Sequence, residues 1–297
     1  MKAYIVIPKI KIQNANALSS AYTIGFPAIT AWLGAVHALQ RQICQYPELR
    51  QISFIKMAVS CNYYNLQVYK GPGDFQSSII GTSNPLRKKG SNFERPPFIE
   101  APRIQLTVSL LIEVQGINAE NQKNVIRMLQ RKLPCMKMVS GDILGFDKIQ
   151  VFYIDKNQAD TIKKVIMQLM PGYILIERRD LLQIIDIAQD GLDKLLAYLK
   201  VNFTAIQDTT GNIIGWKPKR LVSGWIVPIA VGFKRISEVG TVLNQRDMKC
   251  NHCFTENVVT LGEFKMAYRF NDIEDIMWQY TYEQDKGLYV CKNQNNF

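Results

Sequence analysis

The chain has 297 residues, of which 47% are hydrophobic and 21% are charged, and its net charge is +11. This composition is sufficient for a packed core and excludes a disordered tail, and the length corresponds to one large domain or two ordinary ones. The positive charge predicts a polyanionic partner, because a net positive field attracts nucleic acid and anionic lipid alike.

Sequence features that would indicate a membrane protein, a disulfide framework or a metal site are weak. No run approaches the roughly 18 to 20 apolar residues of a membrane-spanning helix, so no membrane contact is expected. The six cysteines lack framework spacing, which indicates reduced thiols and a cytoplasmic protein. Cys250 and Cys253 have the separation of half a zinc site, but no second pair accompanies them, and no metal or other cofactor is predicted.

Most of the positive charge lies in the first third of the chain. Residues 1–110 carry 12 basic and 4 acidic side chains, residues 111–200 carry 13 and 11, and residues 201–297 carry 11 and 10. We therefore expect the anion-binding surface in the first third, and protein partners on the near-neutral remainder. A basic surface that serves solubility alone is the alternative.

Hydrophobic periodicity and turn residues predict a series of elements in the first half. They are a strand at residues 2–12, a loop at 13–25, a helix at 27–46, a strand within 52–69, a long basic loop at 71–102, a strand at 103–114, a helix at 121–133 and a strand at 149–154. This order predicts an α+β fold with a ferredoxin-like βαββαβ core over residues 1–155, into which the basic loop is inserted.

Residues 156–297 are predicted to be helical and extended segments that complete the fold and contact partner subunits. The predicted elements are helices at 160–170 and 180–200, an extended segment at 224–229 and a frayed tail at 291–297.

Few residues are suited to catalysis. The chain has two histidines, and motifs such as GxxxxGK[ST], GxGxxG, HExxH and GxSxG do not occur. His37 lies within the first predicted helix, where a core or capping role is the more typical one. The alternative is a metal-independent endoribonuclease in which His37 is the general base for a 2′-hydroxyl.

Side chains suited to RNA occur at the end of the first strand, in the loop that follows it and in the basic loop. Lysine and arginine neutralise phosphates, amides read base edges, and aromatic rings stack on bases. The candidate RNA-binding residues are Lys9, Lys11, Gln13, Asn14, Asn16, Phe26, Arg87, Lys88, Lys89, Phe93, Arg95 and Arg103. A protein-only scaffold whose basic face meets acidic partner surfaces is a third interpretation.

Several motifs occur in order along the chain: KIQNANA at residues 11–17, GFPAITAWLG at 25–34, VHAL at 36–39, TVSLL at 107–111, GWIVPI at 224–229 and RD at 246–247. In this order they resemble the Csy-two family of type I-F CRISPR systems. Ile24, where many relatives have tryptophan, and Ala230, where proline is frequent, indicate a divergent member.

The resemblance implies a repeat-associated RNA-binding fold, a ferredoxin-like domain with an inserted thumb. It implies a non-catalytic subunit that caps the 5′ handle of the crRNA in an antiviral, DNA-targeting surveillance complex. The implied partners are the large subunit, as a heterodimer, and the first backbone subunit; target DNA near the protospacer-adjacent motif is a further candidate. By this analogy Gln13, Asn14 and Asn16 meet the handle, and Arg246 joins the candidate RNA-binding residues.

Overall fold

The computed structural model describes residues 2–80, 86–94, 101–155, 159–184 and 190–293. Within these ranges the protein is a mixed α/β structure in which strands predominate. No helix in the described ranges has both the length and the apolar content that crossing a bilayer requires.

Strands outnumber helices in both halves of the described chain, with two α-helices between groups of strands in the first half and three before most strands of the second. The strands of the described residues are β1 (Lys2–Asn16), β2 (Leu18–Ser20), β3 (Thr23–Ile24), β4 (Ser53–Leu66), β5 (Val68–Tyr69), β6 (Ser78–Ile79), β7 (Arg87–Lys89), β8 (Asn92–Glu94), β9 (Arg103–Gln115), β10 (Lys137–Met138), β11 (Gly141–Gly145), β12 (Gln150–Ile154), β13 (Tyr173–Glu177), β14 (Asn202–Gln207), β15 (Ile213–Lys219), β16 (Trp225–Arg235), β17 (Thr255–Met266), β18 (Trp278–Glu283) and β19 (Leu288–Asn293). The α-helices are α1 (Ile29–Ile43), α2 (Gln122–Lys132), α3 (Ala159–Met167), α4 (Arg179–Ile184) and α5 (Gly191–Leu199).

Four long or central strands of the first half form an antiparallel group in the order β12-β1-β9-β4. Helix α1 connects β1 to β4, and α2 lies between β9 and β12 in the chain. Apolar residues of both helices share a core with Ile10 and Ile12 of β1, so the two helices cover one face of these strands. The predicted helices and strands of this half are therefore present, with ends that differ by a few residues.

Strands of the second half continue the same sheet from the free edge of β4. The order onward is β13-β17-β16-β19-β18, and β18 pairs with β4 in turn, so these strands form a closed path. Trp278 lies at the closure, opposite Met57 of β4. Its indole Nε1 donates a hydrogen bond of 2.8 Å to the carbonyl of Leu175, and its side chain is fully buried.

Apolar side chains fill both faces of the sheet. The larger core lies beneath α1 and α2 and extends to Trp278, Phe264 and Leu175 in the second half. A second core, on the other face, packs Tyr4 and Val6 of β1 against α3. Helix α3 covers only part of that face, and the part that it leaves open contains the candidate site.

Several boundary predictions are wrong. The predicted loop at 13–25 contains the end of β1, which reaches Asn16, and the short strands β2 and β3. The described residues of the basic loop at 71–102 include the exposed short strand β6, which pairs with β5, and the exposed hairpin β7–β8, with the positive-φ residues Gly73 and Gly90 in the two turns. Residues 81–85 and 95–100 of this loop lie outside the described ranges. The predicted helix at 180–200 consists of α4 and α5, and residues 185–189 lie outside the described ranges. Cys291–Asn293, predicted as tail, belong to β19.

Gly232 of β16 allows a close approach of β19, so its replacement is expected to destabilise the protein. A Cβ there would lie 2.1 Å from the backbone carbonyl oxygen of Tyr289, and this clash could be relieved only if the backbone of β16 or β19 shifted. We expect Gly232→Ala to lower the free energy of unfolding by about 1–3 kcal/mol, as overpacked core substitutions do. Urea denaturation followed by circular dichroism measures this change.

Gly145→Ala is the matched control for this substitution. A Cβ at Gly145, the last residue of β11, has no heavy atom within 4 Å. The control should unfold within about 0.5 kcal/mol of the unsubstituted chain, as ordinary surface substitutions do. Equal stability of the two variants would contradict the packing described for β16 and β19.

Candidate nucleic-acid interface

Strand β1 contains two bulges, each with a residue in the left-handed backbone conformation. At the first, two residues that include Lys9 oppose Ser109 of β9, and at the second both Gln13 and Asn14 oppose Gln105. The φ angles are +47° at Lys9 and +55° at Asn14. Such angles are uncommon outside glycine and cluster at functional sites, where the surrounding structure maintains the strain. The bulges therefore mark the second half of β1 as a candidate site.

The second bulge is held by a cluster of amide side chains around Asn14. The Asn14 side-chain oxygen accepts hydrogen bonds from Gln105 Nε2 at 3.0 Å and from Gln67 Nε2 at 3.1 Å. The backbone N–H of Asn14 donates to Gln105 Oε1 at 3.1 Å, and the Arg103 guanidinium lies 3.5 Å from the backbone carbonyl oxygen of Asn14. These bonds fix the bulge and present an ordered set of amide groups and one cation to the solvent.

The first bulge is connected to the neighbouring strands by a chain of hydrogen bonds. The Lys9 amide N–H donates to Ser109 Oγ at 3.1 Å, and Ser109 Oγ donates to Asn62 Oδ1 at 2.8 Å. Asn62 Nδ2 donates in turn to the Pro171 carbonyl at 2.6 Å. The backbone of β1 is thereby tied through β9 and β4 to the segment that precedes β13.

Residues that oppose each other on β1, β9 and β4 extend the exposed surface at the bulges. Lys11 opposes Thr107, and Thr107 opposes Tyr63. Side chains directly opposite one another lie on the same face of a sheet. We call this surface the polar sheet face, and it comprises Lys9, Lys11, Gln13, Asn14, Tyr63, Arg103, Gln105 and Thr107.

The polar sheet face has an uncompensated positive charge. Lys9 Nζ lies 4.0 Å from the carboxylate of Asp147. Neither Lys11 nor Arg103 forms an ion pair with a carboxylate within the ranges that the structure describes. The surface therefore offers cations for phosphates, amides for base edges and the half-exposed ring of Tyr63 for stacking.

Two of the predicted RNA-binding residues, Asn16 and Phe26, have side chains that are engaged by the protein itself. Asn16 bonds to the backbone of Leu18 with both ends of its amide, at 3.1 Å and 3.0 Å, and so holds the turn after β1. The Phe26 ring is 7% exposed, stacks on Trp32 with centroids 5.5 Å apart and meets Phe264 edge-on at 5.3 Å. Trp32 and Phe264 therefore contact the Phe26 ring, which leaves little of its surface for a base.

Three predicted cations and one aromatic residue form a separate exposed hairpin. Lys88 opposes Phe93, which is 67% exposed, so a cation and a ring share one face of the pair β7–β8. Lys89 forms an ion pair of 3.3 Å with Glu94, and Arg87 is exposed. Arg95 lies outside the described residues.

Arg246 and the free cysteines Cys250 and Cys253 lie in a largely exposed loop between β16 and β17. Backbone and thiol hydrogen bonds, from Lys249 N and from Cys250 Sγ at 3.3 Å, hold the pKa of Asp247 below its usual value. Across the described ranges, no three His, Cys, Asp or Glu side chains gather in an arrangement suited to a metal ion. Arg246 therefore lies beside the hydrogen bonds of Asp247 in this loop and is not part of the polar sheet face.

His37 is exposed, and the expectation of a core or capping residue is wrong. It lines a cavity of about 200 Å³ with Lys56, Tyr280 and Tyr289. Burial raises the pKa of Tyr280, whose hydroxyl donates to the carbonyl of Thr30 at 3.0 Å. The cavity adjoins α1, on the helix side of the sheet, whereas the polar sheet face lies on the other side.

Sequence reasoning missed the amide and hydroxyl groups that support the bulges. Gln67, Gln105 and Ser109 were not among the candidates, although β9 contains a signal for two of them. In that strand Arg103, Gln105, Thr107 and Ser109 alternate with Ile104, Leu106 and Val108. Strict alternation indicates one buried and one polar face, so the polar positions could have been assigned to the site.

Comparisons with known proteins agree with the resemblance carried by the motifs. A family model described as “CRISPR-associated protein (Cas_Csy2)” matches residues 5–291. The chain is also 29% identical over 315 aligned residues to a protein of Pseudomonas aeruginosa (strain UCBPP-PA14) described as “CRISPR-associated protein Csy2”. That alignment covers 97% of this chain and 94% of the relative, so the similarity spans both halves of the sheet.

Glycine substitutions at Lys9 and Lys11 should differ in their effect on stability although they remove the same charge. Lys9 has a φ of +47°, which glycine adopts without the steric cost of a side chain. We expect Lys9→Gly to leave the free energy of unfolding within about 0.5 kcal/mol or to raise it, and Lys11→Gly, at a strand position without a left-handed φ, to lower it by about 1 kcal/mol. Urea denaturation of both variants provides the comparison, and a larger loss at Lys9 would contradict the strained bulge.

Proposed function

Because the chain belongs to the Csy2 (Csy-two) family of CRISPR-associated proteins, we propose that it is a non-catalytic subunit of a type I-F RNA-guided surveillance complex. In this proposal it binds the 5′ handle of the crRNA. The observation that carries the proposal is the polar sheet face, an ordered, positively charged and amide-rich surface on the side of the sheet that α1 and α2 do not cover.

The chemistry of this surface supports RNA as the ligand. Lys11 and Arg103 are placed to neutralise phosphates, and each neutralised phosphate releases counterions and strengthens binding at low salt. Gln13 and the cluster around Asn14 offer donors and acceptors to the edges of unpaired bases. Since the bulge is already held by hydrogen bonds, these groups lose little conformational freedom on binding.

The strand order supports a ferredoxin-like unit in the first half. The chain order strand, helix, strand, strand, helix, strand and the antiparallel sheet order β12-β1-β9-β4 are those expected of a βαββαβ unit. We propose that residues 1–155 are this RNA-binding unit, with the basic insertion at 71–102. In the same proposal, residues 156–297 complete the sheet and contact partner subunits.

The family assignment also supports the proposed partners. We propose a heterodimer with the large subunit and contact with the first backbone subunit of the complex, in the prokaryotic cytoplasm. Target DNA near the protospacer-adjacent motif is the remaining proposed contact. The exposed hairpin β7–β8, with its three cations and Phe93, is suited to either nucleic acid.

The endoribonuclease alternative is less well supported. It requires the RNA to reach His37, which lies on the helix side of the sheet, while the cations and amides lie on the other side. A general base also requires hydrogen-bond reach of the 2′-hydroxyl from which it takes a proton. A single strand held on the polar sheet face does not bring a phosphodiester to His37.

Removal of two cations from the polar sheet face should weaken RNA binding. We expect Lys11→Ala combined with Arg103→Ala to raise the Kd for a repeat-spacer transcript of the host about tenfold or more. The slope of log affinity against log salt should fall by about 1.4, which corresponds to two lost single-strand phosphate contacts. Filter binding over a salt series measures both quantities.

Lys123→Ala combined with Arg127→Ala on α2 is the control, because it removes two exposed positive charges from the helix side. Asn14→Ala should also weaken binding, through loss of the amide cluster with Gln67 and Gln105; unchanged affinity would contradict the assignment of the handle to this surface. Gel analysis of the bound RNA should show it intact. Cleavage that is lost in His37→Ala would support the nuclease instead.

A further inference from the structure

Strands β14 and β15 form a hairpin that stands apart from the main sheet. Among the described strands they pair with each other alone. All of their residues except Ala205 and Gly215 are exposed. An isolated two-stranded hairpin is marginally stable at best in water, so a partner that covers this one would stabilise it.

The two faces of the hairpin β14–β15 differ in chemistry. Residues directly opposite each other on the two strands share a face. The apolar face contains Phe203 opposite Pro218 and Ala205 opposite Trp216. The other face contains Asn202 opposite Lys219, Thr204 opposite Lys217 and Ile206 opposite Gly215. Large rings therefore lie on one side of the hairpin and cations on the other.

Both faces expose groups that a partner could bind. Phe203 is 63% exposed and Trp216 is 60% exposed. In the part of the chain that the structure describes, no carboxylate lies within ion-pair distance of Lys217 or Lys219. Residues 209–237 contain five basic residues and no acidic one. The hairpin therefore favours a partner that supplies apolar groups to one face and negative charge to the other.

The outer edge of β14 can accept a further strand. In an antiparallel pair, the backbone groups of alternate residues point away from the partner strand. Strand β14 has six residues and no proline, so each of its outward-facing residues offers an N–H and a C=O. Strand β15 includes Pro218, which lacks an N–H, and proline fits a strand where its nitrogen faces outward. The edge of β15 is therefore interrupted, and that of β14 is the better template.

We propose that a strand of a partner protein, in which apolar and acidic side chains alternate, adds to the outer edge of β14. Its apolar side chains lie beside Phe203, and its acidic side chains lie on the face of Lys217 and Lys219. Two strand spacings of roughly 4.8 Å separate β15 from the added strand, so glutamate, the longer acid, is best suited to meet the lysines. In this mode of recognition, main-chain hydrogen bonds provide affinity and alternate side chains provide specificity.

The arrangement of the hairpin favours a protein strand over RNA. Its rings and cations lie on opposite faces, so a single RNA strand on one face cannot use both. A β-strand presents side chains to both faces at once. The proposal rests on the proposed function only in that residues 156–297 contact partner subunits, and it does not depend on RNA binding by the polar sheet face.

Hydrogen exchange and crosslinking of the unsubstituted protein test the proposal directly. The sample is the complex that co-purifies with the tagged full chain from the host, compared with the isolated chain. In the complex, about half of the backbone amides of residues 202–207 should exchange about tenfold more slowly, because alternate amides of β14 become bonded. A zero-length carbodiimide reagent should join Lys217 or Lys219 to a glutamate of another protein, in a peptide that alternates apolar and acidic residues.

Two matched pairs of variants test the cations and the ring separately. Lys217→Glu with Lys219→Glu should reduce co-purification of the crosslinked subunit about fivefold or more, whereas Lys123→Glu with Arg127→Glu on α2 makes the same charge change and should not. Phe203→Thr should also reduce it about fivefold, because threonine keeps the strand and removes the ring. Tyr282→Thr in β18, where the tyrosine is 59% exposed, is its control.

Three outcomes would overturn the proposal. They are unchanged exchange of residues 202–207 in the complex, crosslinks only between two copies of this chain, and ultraviolet crosslinks of RNA to residues 202–219. If residues 202–207 are protected while Lys11→Ala with Arg103→Ala binds RNA normally, the added strand stands and the proposed RNA site fails. If that double variant loses RNA affinity while the hairpin is unprotected, the proposed function stands and only the added strand fails.

Discussion

The pairing of β1 with β9 is the constraint on which the rest of the structure depends. These two long strands form the centre of the sheet, and each has one face in the core beneath α1 and α2. With regular pairing over its full length, β1 would point successive side chains to opposite faces of the sheet throughout. The two bulges interrupt it, so that one stretch of β1 keeps Ile10 and Ile12 in the core and places Lys9, Lys11 and Asn14 together on the open face.

The second half depends on the same strands through the free edge of β4. Trp278 fills the closure, donates its indole N–H to the Leu175 carbonyl and faces Met57. Its burial removes a large apolar surface from water and satisfies a polar group at the same time. Packing of the closed strands against the main core therefore fixes where β13 and β16 begin, and with them the position of the exposed rings of Tyr173 and Trp225.

Elements with strong periodicity could be predicted from the sequence, and features that depend on pairing could not. The apolar spacing of α1 and α2 and the β-branched run in β9 identify these elements whatever their partners are. The left-handed angle of Asn14 depends on the bulge in which Gln13 and Asn14 together oppose Gln105 of β9, and no local pattern encodes that pairing. Asn16 and Phe26 look available because they lie in, or directly after, the segment predicted as a loop, yet the turn at Leu18 engages the Asn16 side chain and packing on Trp32 covers the Phe26 ring. Cys291 looks terminal, but burial in β19 raises its thiol pKa to about 12.

The closed path from β4 through β18 also limits how this protein can associate with itself. In the described ranges the sheet ends only at β10 and β12, strands of two and five residues, which offer few unpaired backbone groups to another chain. Short edge strands protect sheet proteins against edge-to-edge aggregation. Another strand can therefore be added to the ends of the main sheet only over a short length, whereas the separate hairpin β14–β15 has outer edges of six and seven residues. Of the described strands, this hairpin is the place where a neighbouring chain could recognise backbone groups over a longer stretch.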